Sequence, residues 1–425
     1  MTRSVDEQAA AQPRPPTIGE RLAGVDRRLL WLLALAAAVR ILYWAVFLRH
    51  YVPQSDAFHY FQIAENVAEG RGFVHEFPQL DLHPTAFRPP LFPLTLSLVL
   101  AVLWPAVAFG QALNLVLGVV AVGLTFRLTS EIGGRLAGTV AAVVVAVHPP
   151  LFFNDVVPLA ESLALVLVLS LALAVRRDAY VWAGILTGLL VLDRTSAQAV
   201  VVLVVGWVAV RLGIRKAAVT LALAAAVVAP WVVRNAVELD AAVLVTSNGF
   251  NLAAKHSPEA RATGRFVDPV YDVRFDEFRL EQFDEAQWDR TLTDYALDEI
   301  RRDPRPVARV VLRNVWELFL LRPSFSDSAE RSDGRHAGVR TASVPFFYAA
   351  SALGLVGVWR NRRDPTVLFL ALVVGYFLAL SLLLMSPPRL RWPFDLLCAI
   401  GIGLLAPTVR DRWAARRATG SAAPP

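Results

Sequence analysis

Residues 365–385 read PTVLFLALVVGYFLALSLLLM, a run of 21 residues without an acidic or basic side chain. A helix needs about 20 mostly apolar residues to cross the hydrocarbon of a bilayer, so this run predicts a transmembrane helix. Similar runs recur along the chain, and they lack the alternation of polar and apolar residues that is typical of a membrane β-barrel. The sequence therefore predicts an all-α polytopic membrane protein.

We expect about ten transmembrane helices, with ends good to a few residues. The predicted spans are 27–48, 107–128, 136–153, 160–175, 180–197, 199–212, 217–233, 343–359, 365–385 and 393–409. The apolar run 91–104 is shorter and is bounded or interrupted by four prolines, Pro89, Pro90, Pro93 and Pro105. We therefore expect a re-entrant or interfacial helix there, on the outer face of the membrane.

The composition supports a lipid-embedded body with one polar insert. Of the 425 residues, 56% are apolar and only 18% are charged, whereas a soluble domain has more charge and less apolar content. The charged residues are concentrated between 235 and 341, so the chain lacks the uniform basic surface that a nucleic-acid partner requires. Cys398 is the only cysteine, which excludes an intrachain disulfide and a cysteine-based zinc site.

Arginines recur in the short loops on one side of the predicted bundle, such as Arg176, Arg177 and Arg360. The positive-inside rule then places the N-terminus in the cytoplasm of a cell-membrane protein. We predict a cytoplasmic disordered tail at 1–26, an N-terminal transmembrane module at 27–234 with its first extracytoplasmic loop at 49–106, an extracytoplasmic polar insert at 235–341 containing an interfacial helix, a C-terminal transmembrane module at 342–410, and a cytoplasmic tail at 411–425.

Several ionisable residues fall at span ends on the predicted outer side. Ionisable side chains near lipid are costly, so each calls for a reason. Their convergence would create a cavity that holds carboxylates and guanidinium groups together, which suits a reaction with a proton acceptor and an anionic leaving group. The candidates are Asp56, His59, Glu65, Arg88, Asp155, Glu161, Arg194, Arg234, Arg389 and Arg391. In the first loop, Ser55 is predicted to cap the helix that Asp56 begins.

Short motifs recur in a definite order. They are SDAFHY at 55–60, GRGF at 70–73, RPPLFP at 88–93, ES at 161–162, DRT at 193–195, PW at 230–231 before RN at 234–235, SNGFNL at 247–252 and PRLRWP at 388–393. This ordered set, which covers most of the chain, resembles the polyprenyl-phosphate-dependent glycosyltransferases of the C superfamily. The closest group is family 39, which includes protein O-mannosyltransferases and lipid A aminoarabinose transferases.

The resemblance implies the GT-C fold and an inverting transfer of a sugar from a polyprenyl-phosphate donor to the hydroxyl of a protein, glycan or glycolipid acceptor at the extracytoplasmic face. It implies a general base at Asp56 and donor-phosphate contacts from Arg389, Arg391, Arg194 and Arg88. The sugar or acceptor site would include Glu161, His59, Asn248 and Asn251. Ala57 stands where the family often has a second acidic residue, so a divalent cation is not favoured, and no metal ligand is predicted.

Two other classes of protein remain open. A transporter or flippase for lipid-linked sugars would use the same arginines to hold phosphate but would need no base at Asp56. A non-catalytic assembly protein of the cell envelope would keep the fold without the reaction. The enzyme hypothesis requires that Asp56 lie within ~15 Å of Arg389 or Arg391, because the reacting groups must be positioned together.

Overall fold

The structure is a computed structural model that describes residues 26–77, 81–271, 284–321, 327–384 and 387–420. The predicted tail at 1–26 lies outside them, except for Asp26. The helices are α1 Arg27–Tyr43, α2 Asp56–Ala68, α3 Leu91–Val102, α4 Val107–Val147, α5 Pro149–Phe152, α6 Glu161–Arg176, α7 Tyr180–Asp193, α8 Gln198–Leu212, α9 Ile214–Glu238, α10 Asn248–His256, α11 Pro258–Thr263, α12 Glu285–Arg302, α13 Arg305–Leu318, α14 Asp327–Ser332, α15 Ala337–Arg360, α16 Pro365–Leu383 and α17 Trp392–Gly420. Within the described residues, the strands are β1 Val74–His75 and β2 His83–Pro84, which pair antiparallel.

The chain is a multi-pass membrane protein. In the part of the chain that the structure describes, seven helices are long and apolar enough to cross a membrane. The number becomes eight if Pro149–Val156 and Glu161–Arg176, which meet at 118°, form one bent span. The all-helical fold class is therefore confirmed, but the predicted number of ten spans is not. The predicted span 180–197 contains a helix of only 14 residues, α7, which is short for a crossing.

Helix α4 is two helices joined at Gly134. This glycine has φ 84° and ψ 170°, which is not a helical conformation. In a straight helix, residues 130 and 138 would lie about 12 Å apart along the axis. Here they are in contact, because a Cβ atom added to Gly138 would collide with the side chain of Ser130. The chain therefore folds back at Gly134, and the two arms correspond to the predicted spans 107–128 and 136–153.

Helix α6 lies at the centre of the bundle. Thirteen of its sixteen residues are buried, as is typical of a helix that is apolar on all sides and packed within other helices. The outer helices instead expose large apolar side chains, such as Trp31 of α1 and Val210 of α8. Such exposed apolar surface suits contact with lipid, and the central position of α6 places its first residue, Glu161, inside the protein.

Helices α15 and α17 pack closely through glycines. A Cβ on Gly357 would collide with the backbone of Gly401, and one on Gly354 would come within 2.5 Å of Cys398. Small residues at such crossings let the backbones of membrane helices approach each other. This contact fixes α17, and with it the 3-10 turn Pro388–Arg391 that precedes it.

The remaining segments agree only in part with the sequence predictions. Helix α3 has 12 residues, too few to span, which agrees with the expected re-entrant or interfacial helix. Ser55 makes no side-chain cap on α2, so that prediction was wrong. The last helix continues to Gly420, so the predicted tail at 411–425 is helical over most of its length. The domain boundaries stay a prediction.

Candidate functional site

A cavity of about 170 Å³ lies where α2 and α6 begin, α7 ends and the turn Pro388–Arg391 leads into α17. One part of its wall carries six charged side chains, those of Asp56, Arg88, Glu161, Asp193, Arg194 and Arg389. Another part is apolar and comes from α16 and α17, with Phe377, Leu380 and Trp392. A cavity that is charged on one side and apolar on the other suits an amphipathic ligand.

Asp56 is held between two arginines. Its Oδ1 lies 2.5 Å from Nη2 of Arg88, and its Oδ2 accepts a hydrogen bond from Nη2 of Arg389. Burial opposes ionisation of this carboxyl group, but the two guanidinium groups outweigh it and hold the pKa of Asp56 well below its usual range. Asp56 is therefore ionised at neutral pH.

The backbone immediately before Asp56 is strained. Ser55 has φ 51° and ψ −129°, a conformation that residues other than glycine adopt rarely and at a free-energy cost. Such outliers persist where the surrounding structure determines them, and they cluster at functional sites. Here the strained residue sets the position from which the Asp56 side chain enters the cavity.

Arg389 connects three carboxylates. It is 5% exposed and, besides Asp56, its Nη1 lies 3.1 Å from Oδ1 of Asp333 and its Nε lies 3.7 Å from Oε1 of Glu161. The same Glu161 oxygen lies 3.2 Å from Nη1 of Arg194. The predicted base and three of the predicted arginines therefore meet in one network, well inside the ~15 Å that positioned attack requires.

Asp333 belongs to this network but has a different environment from Asp56. It is buried, and its Oδ1 lies beside the guanidinium group of Arg389. Burial raises the pKa of Asp333 to about 6, and Arg389 and Arg335 only partly oppose this shift. The attraction of these two arginines does not outweigh burial at Asp333, whereas that of Arg88 and Arg389 does so at Asp56.

The predicted contact of Arg391 with the donor phosphate is not supported by its position. Its Nε lies 3.2 Å from both carboxylate oxygens of Asp395, its Nη1 donates to the carbonyl of Leu318 at 2.5 Å, and its guanidinium stacks 3.7 Å from the ring centroid of Phe347. The side chain is fully buried and is not part of the cavity wall. Residues two apart in a 3-10 turn point in different directions, so Arg389 and Arg391 diverge.

His59 and Asn248 also lie outside the cavity wall, whereas Asn251 lines it. Nδ1 of His59 lies 3.0 Å from Nε2 of His75, whose own Nδ1 accepts a hydrogen bond from the backbone N–H of Phe77. Burial, together with Arg88, keeps the pKa of His59 well below its usual value. His59 is therefore a neutral, hydrogen-bonded residue of the loop, and Asn248 is exposed at the start of α10.

Two carboxylates of the site were missed as site residues. Asp193 was noted only as part of the DRT motif, although it is a carboxylate at the end of an apolar helix and could have been recognised from that position. Asp333 lies directly after α14, 56 residues before Arg389, and no motif marks it. Nothing in the sequence indicates its contact with Arg389.

The polar insert holds the segment that carries Arg88. The buried Glu285, the first residue of α12, accepts hydrogen bonds from Thr85 Oγ1 at 2.7 Å and from the backbone N–H of Ala86 at 2.8 Å. It also accepts one from Thr246 Oγ1. Arg88 follows two residues later, so the insert fixes the approach of this arginine to Asp56.

The described ranges contain no cluster of side chains that could bind a metal ion. Within them, no group of three or more His, Cys, Asp or Glu residues is placed to hold a metal ion.

The fold of the chain is similar to that of solved oligosaccharyltransferases. No protein-family model and no curated protein matches the sequence. The archaeal oligosaccharyltransferase AglB from Archaeoglobus fulgidus, solved with an inhibitory peptide and a dolichol-phosphate, is 16% identical and has a TM-score of 0.52 over 94% of this chain and 52% of that one. The Archaeoglobus fulgidus oligosaccharyltransferase solved with zinc and sulfate is also 16% identical. Its TM-score is 0.53 over 92% of this chain and 50% of that one.

The chain has the GT-C fold. This confirms the fold class that the ordered motifs implied, and the chain spans about half the length of the oligosaccharyltransferases that it resembles. ArnT from Cupriavidus metallidurans bound to undecaprenyl phosphate covers 90% of this chain and 78% of its own, with 12% identity and a TM-score of 0.36. That score is too low to support a conclusion about this chain.

Proposed function

We propose that the chain is a glycosyltransferase that moves a sugar from a polyprenyl-phosphate donor to an acceptor hydroxyl, with inversion. The observation that carries this proposal is the position of Asp56, an ionised carboxylate in contact with Arg88 and Arg389 in an amphipathic cavity. A carboxylate can accept the proton of a hydroxyl, and guanidinium groups bind phosphate in bidentate fashion.

The side chains that line the cavity support a lipid-linked donor. Its charged part can receive a phosphate and a sugar, while the apolar side chains of Phe377, Leu380 and Leu384 on one edge can receive the start of a polyprenyl chain. An oligosaccharyltransferase of similar fold has been solved with dolichol-phosphate. Both observations favour a lipid phosphate over a soluble nucleotide sugar.

In the proposed reaction the acceptor oxygen attacks the anomeric carbon of the donor sugar. The bond between that carbon and the phosphate oxygen breaks, and its electron pair stays with the polyprenyl phosphate. Asp56 takes the proton of the acceptor hydroxyl as the new glycosidic bond forms. Arg389, Arg88 and Arg194 stabilise the negative charge that grows on the phosphate as it leaves.

Donor binding would also activate the base. Both oxygens of Asp56 contact guanidinium groups, which stabilise the ionised form and make Asp56 a weak base. A phosphate that recruits Arg389 or Arg88 withdraws that stabilisation. Asp56 then becomes more basic and exposes an oxygen to the acceptor only when the donor is present.

We assign roles to the other predicted site residues according to whether they line the cavity. Glu161 and Asn251 line the cavity and are proposed to contact the sugar or the acceptor, whereas Arg391, His59 and Asn248 are not carried forward as ligands. The positive-inside pattern of the loops supports a cell-membrane protein with its active site on the extracytoplasmic face. The acceptor is proposed to be a protein, glycan or glycolipid hydroxyl.

The test is a transfer assay with the full-length chain in lipid nanodiscs, radiolabelled undecaprenyl-phosphate sugars and membrane acceptors. We expect Asp56→Asn to lower the transfer rate by roughly 10²- to 10⁴-fold, because general-base catalysis contributes about that much. The matched control is Glu65→Gln, an acidic residue of the same helix outside the cavity wall. It should transfer at the wild-type rate.

The same assay separates the rival hypotheses. Transfer that persists undiminished in Asp56→Asn would remove the base assignment. Binding or translocation of the lipid by the wild type without any transfer would instead favour a transporter or an assembly protein.

A further inference from the structure

Three carboxylate oxygens at the cavity have no hydrogen-bond partner among the described residues. They are Oδ1 and Oδ2 of Asp193 and Oε2 of Glu161. Both side chains line the cavity, and they are 0% and 3% exposed. By contrast, both oxygens of Asp56 are occupied by Arg88 and Arg389. The cavity therefore contains one carboxyl group, Asp193, whose oxygens accept no hydrogen bond from the described part of the chain.

The position of Asp193 is unfavourable for the stability of the fold. A buried acceptor without a donor bears its full desolvation penalty. Asp193 is also the last residue of α7, and a negative charge at the C-terminus of a helix is opposed by the helix dipole. Arg194 attracts this carboxyl group, but no donor among the described residues reaches its oxygens, which points to donors supplied by a ligand in the cavity.

The phosphate of the donor cannot supply them. A phosphate carries acceptors and negative charge, and it is attracted to the guanidinium groups of Arg389, Arg194 and Arg88 instead. A carboxyl group carries at most one proton, so at least one of the two Asp193 oxygens can only accept a hydrogen bond. The group that faces Asp193 must therefore be rich in donors, and in a lipid-phosphate sugar only the sugar ring offers such groups.

We propose that Asp193, together with Oε2 of Glu161, forms the subsite that recognises hydrogen-bond-donating groups of the donor sugar. This inference rests on the proposed function and adds a specificity determinant to it. The ligand chemistry is a sugar with at least two donor hydrogens directed at these carboxylates. Ring hydroxyls and a ring ammonium group both have this chemistry, and the test below distinguishes them.

The experiment measures the affinity of the full-length chain in nanodiscs for three probes. Undecaprenyl phosphate reports the phosphate site alone, and undecaprenyl-phosphate mannose adds ring hydroxyls. An undecaprenyl-phosphate amino sugar adds an ammonium group. The variant is Asp193→Asn, and the matched control is Asp178→Asn, which lies just before the opposite end of the same helix and is 46% exposed.

We expect Asp193→Asn to weaken binding of at least one sugar-bearing probe by roughly tenfold or more, as for loss of a buried hydrogen bond to a charged group. Binding of undecaprenyl phosphate should be unchanged. A greater loss for the amino sugar than for mannose identifies an ammonium partner, and an equal loss identifies hydroxyls. Asp178→Asn should bind all three probes as the wild type does.

A second readout separates recognition from a structural role. Because Asp193 has no partner in the described structure, Asp193→Asn should raise the melting temperature of the empty protein, whereas loss of a structural carboxylate lowers it. A lower melting temperature, equal weakening of all three probes, or unchanged binding of the sugar probes would each overturn the inference. If the wild type fails to bind undecaprenyl phosphate, the proposed function itself is wrong.

Discussion

Two buried ion-pair systems lie in the same bundle, and they differ in how completely they are satisfied. In the first, Arg40 of α1 donates to Oδ2 of Asp155 from Nε at 2.9 Å and from Nη2 at 2.6 Å, and Ser162 donates to Oδ1 at 2.7 Å. The third nitrogen of Arg40 donates to two backbone carbonyls. In the second, around Arg389, oxygens of Glu161 and Asp193 have no hydrogen-bond partner in the described residues.

The difference indicates which charges belong to the architecture and which belong to a ligand. Arg40 and Asp155 are 0% and 1% exposed, and a Cβ on Gly118 would collide with both side chains, so no space remains for another molecule. The Arg389 system instead borders a cavity. A closed pair holds helices together, whereas an open network with excess acceptors can bind something that brings donors.

The largest expected effect on stability comes from the closed pair. Arg40→Met leaves Asp155 as an unpaired buried charge, so we expect a loss of about 3–5 kcal/mol in the free energy of unfolding. The double variant Arg40→Met with Asp155→Leu should recover most of it, because apolar groups of similar size can replace a buried ion pair. The measurement is thermal unfolding of the purified chain in detergent.

The double variant also tests the comparison itself. If the pair is purely architectural, the refolded double variant binds undecaprenyl phosphate with wild-type affinity. A loss of binding despite restored stability would show that the closed pair also takes part in the site.

A smaller effect is expected from Asp333, through pH. The pKa of this carboxyl is raised to about 6 in the folded protein, so between about pH 4 and pH 6 the folded state holds a proton that the unfolded chain has lost. Stability must therefore fall as pH rises through that window, by about 2–3 kcal/mol. Asp333→Asn should remove this part of the pH dependence, as measured by unfolding at several pH values. An identical fall in the variant would contradict the assignment.

The smallest effect is expected at Glu285, another buried carboxylate, which several donors of the protein satisfy. Glu285→Gln places an amide N–H₂ against those donors and should cost about 1–2 kcal/mol. Because the segment it holds leads to Arg88, which is proposed to stabilise the charge on the departing phosphate, kcat/KM for the donor should fall severalfold. Asp298→Asn, an exposed residue of the same helix, is the control. An unchanged kcat/KM would exclude this positioning role.

The sequence predicted what depends on local patterns. Apolar runs located the helical segments, and the order of the motifs implied the GT-C fold. Asp56, Arg88, Glu161, Arg194, Asn251 and Arg389, which were predicted together, all line one cavity. These residues lie at span ends or in motifs, where burial and charge conflict and a functional reason can be inferred from the sequence.

What the sequence could not predict depends on side-chain direction and on contacts over long separations. Arg391 lies two residues from Arg389, yet the 3-10 turn sends it to Asp395 instead of the cavity. Asp333 reaches Arg389 only through the packing of the polar insert against the bundle. The 41-residue helix is interrupted at Gly134, between the two spans predicted there, but the short α7 left the number of crossings undetermined.

The most direct test of the central claim is a cryo-electron microscopy structure of the chain in nanodiscs with undecaprenyl phosphate. The account predicts that the phosphate lies within hydrogen-bonding distance of Arg389 and of Arg88 or Arg194, with at least one oxygen of Asp56 released from its guanidinium partner. A lipid phosphate bound elsewhere, with the contacts of Asp56 to Arg88 and Arg389 intact, would contradict it.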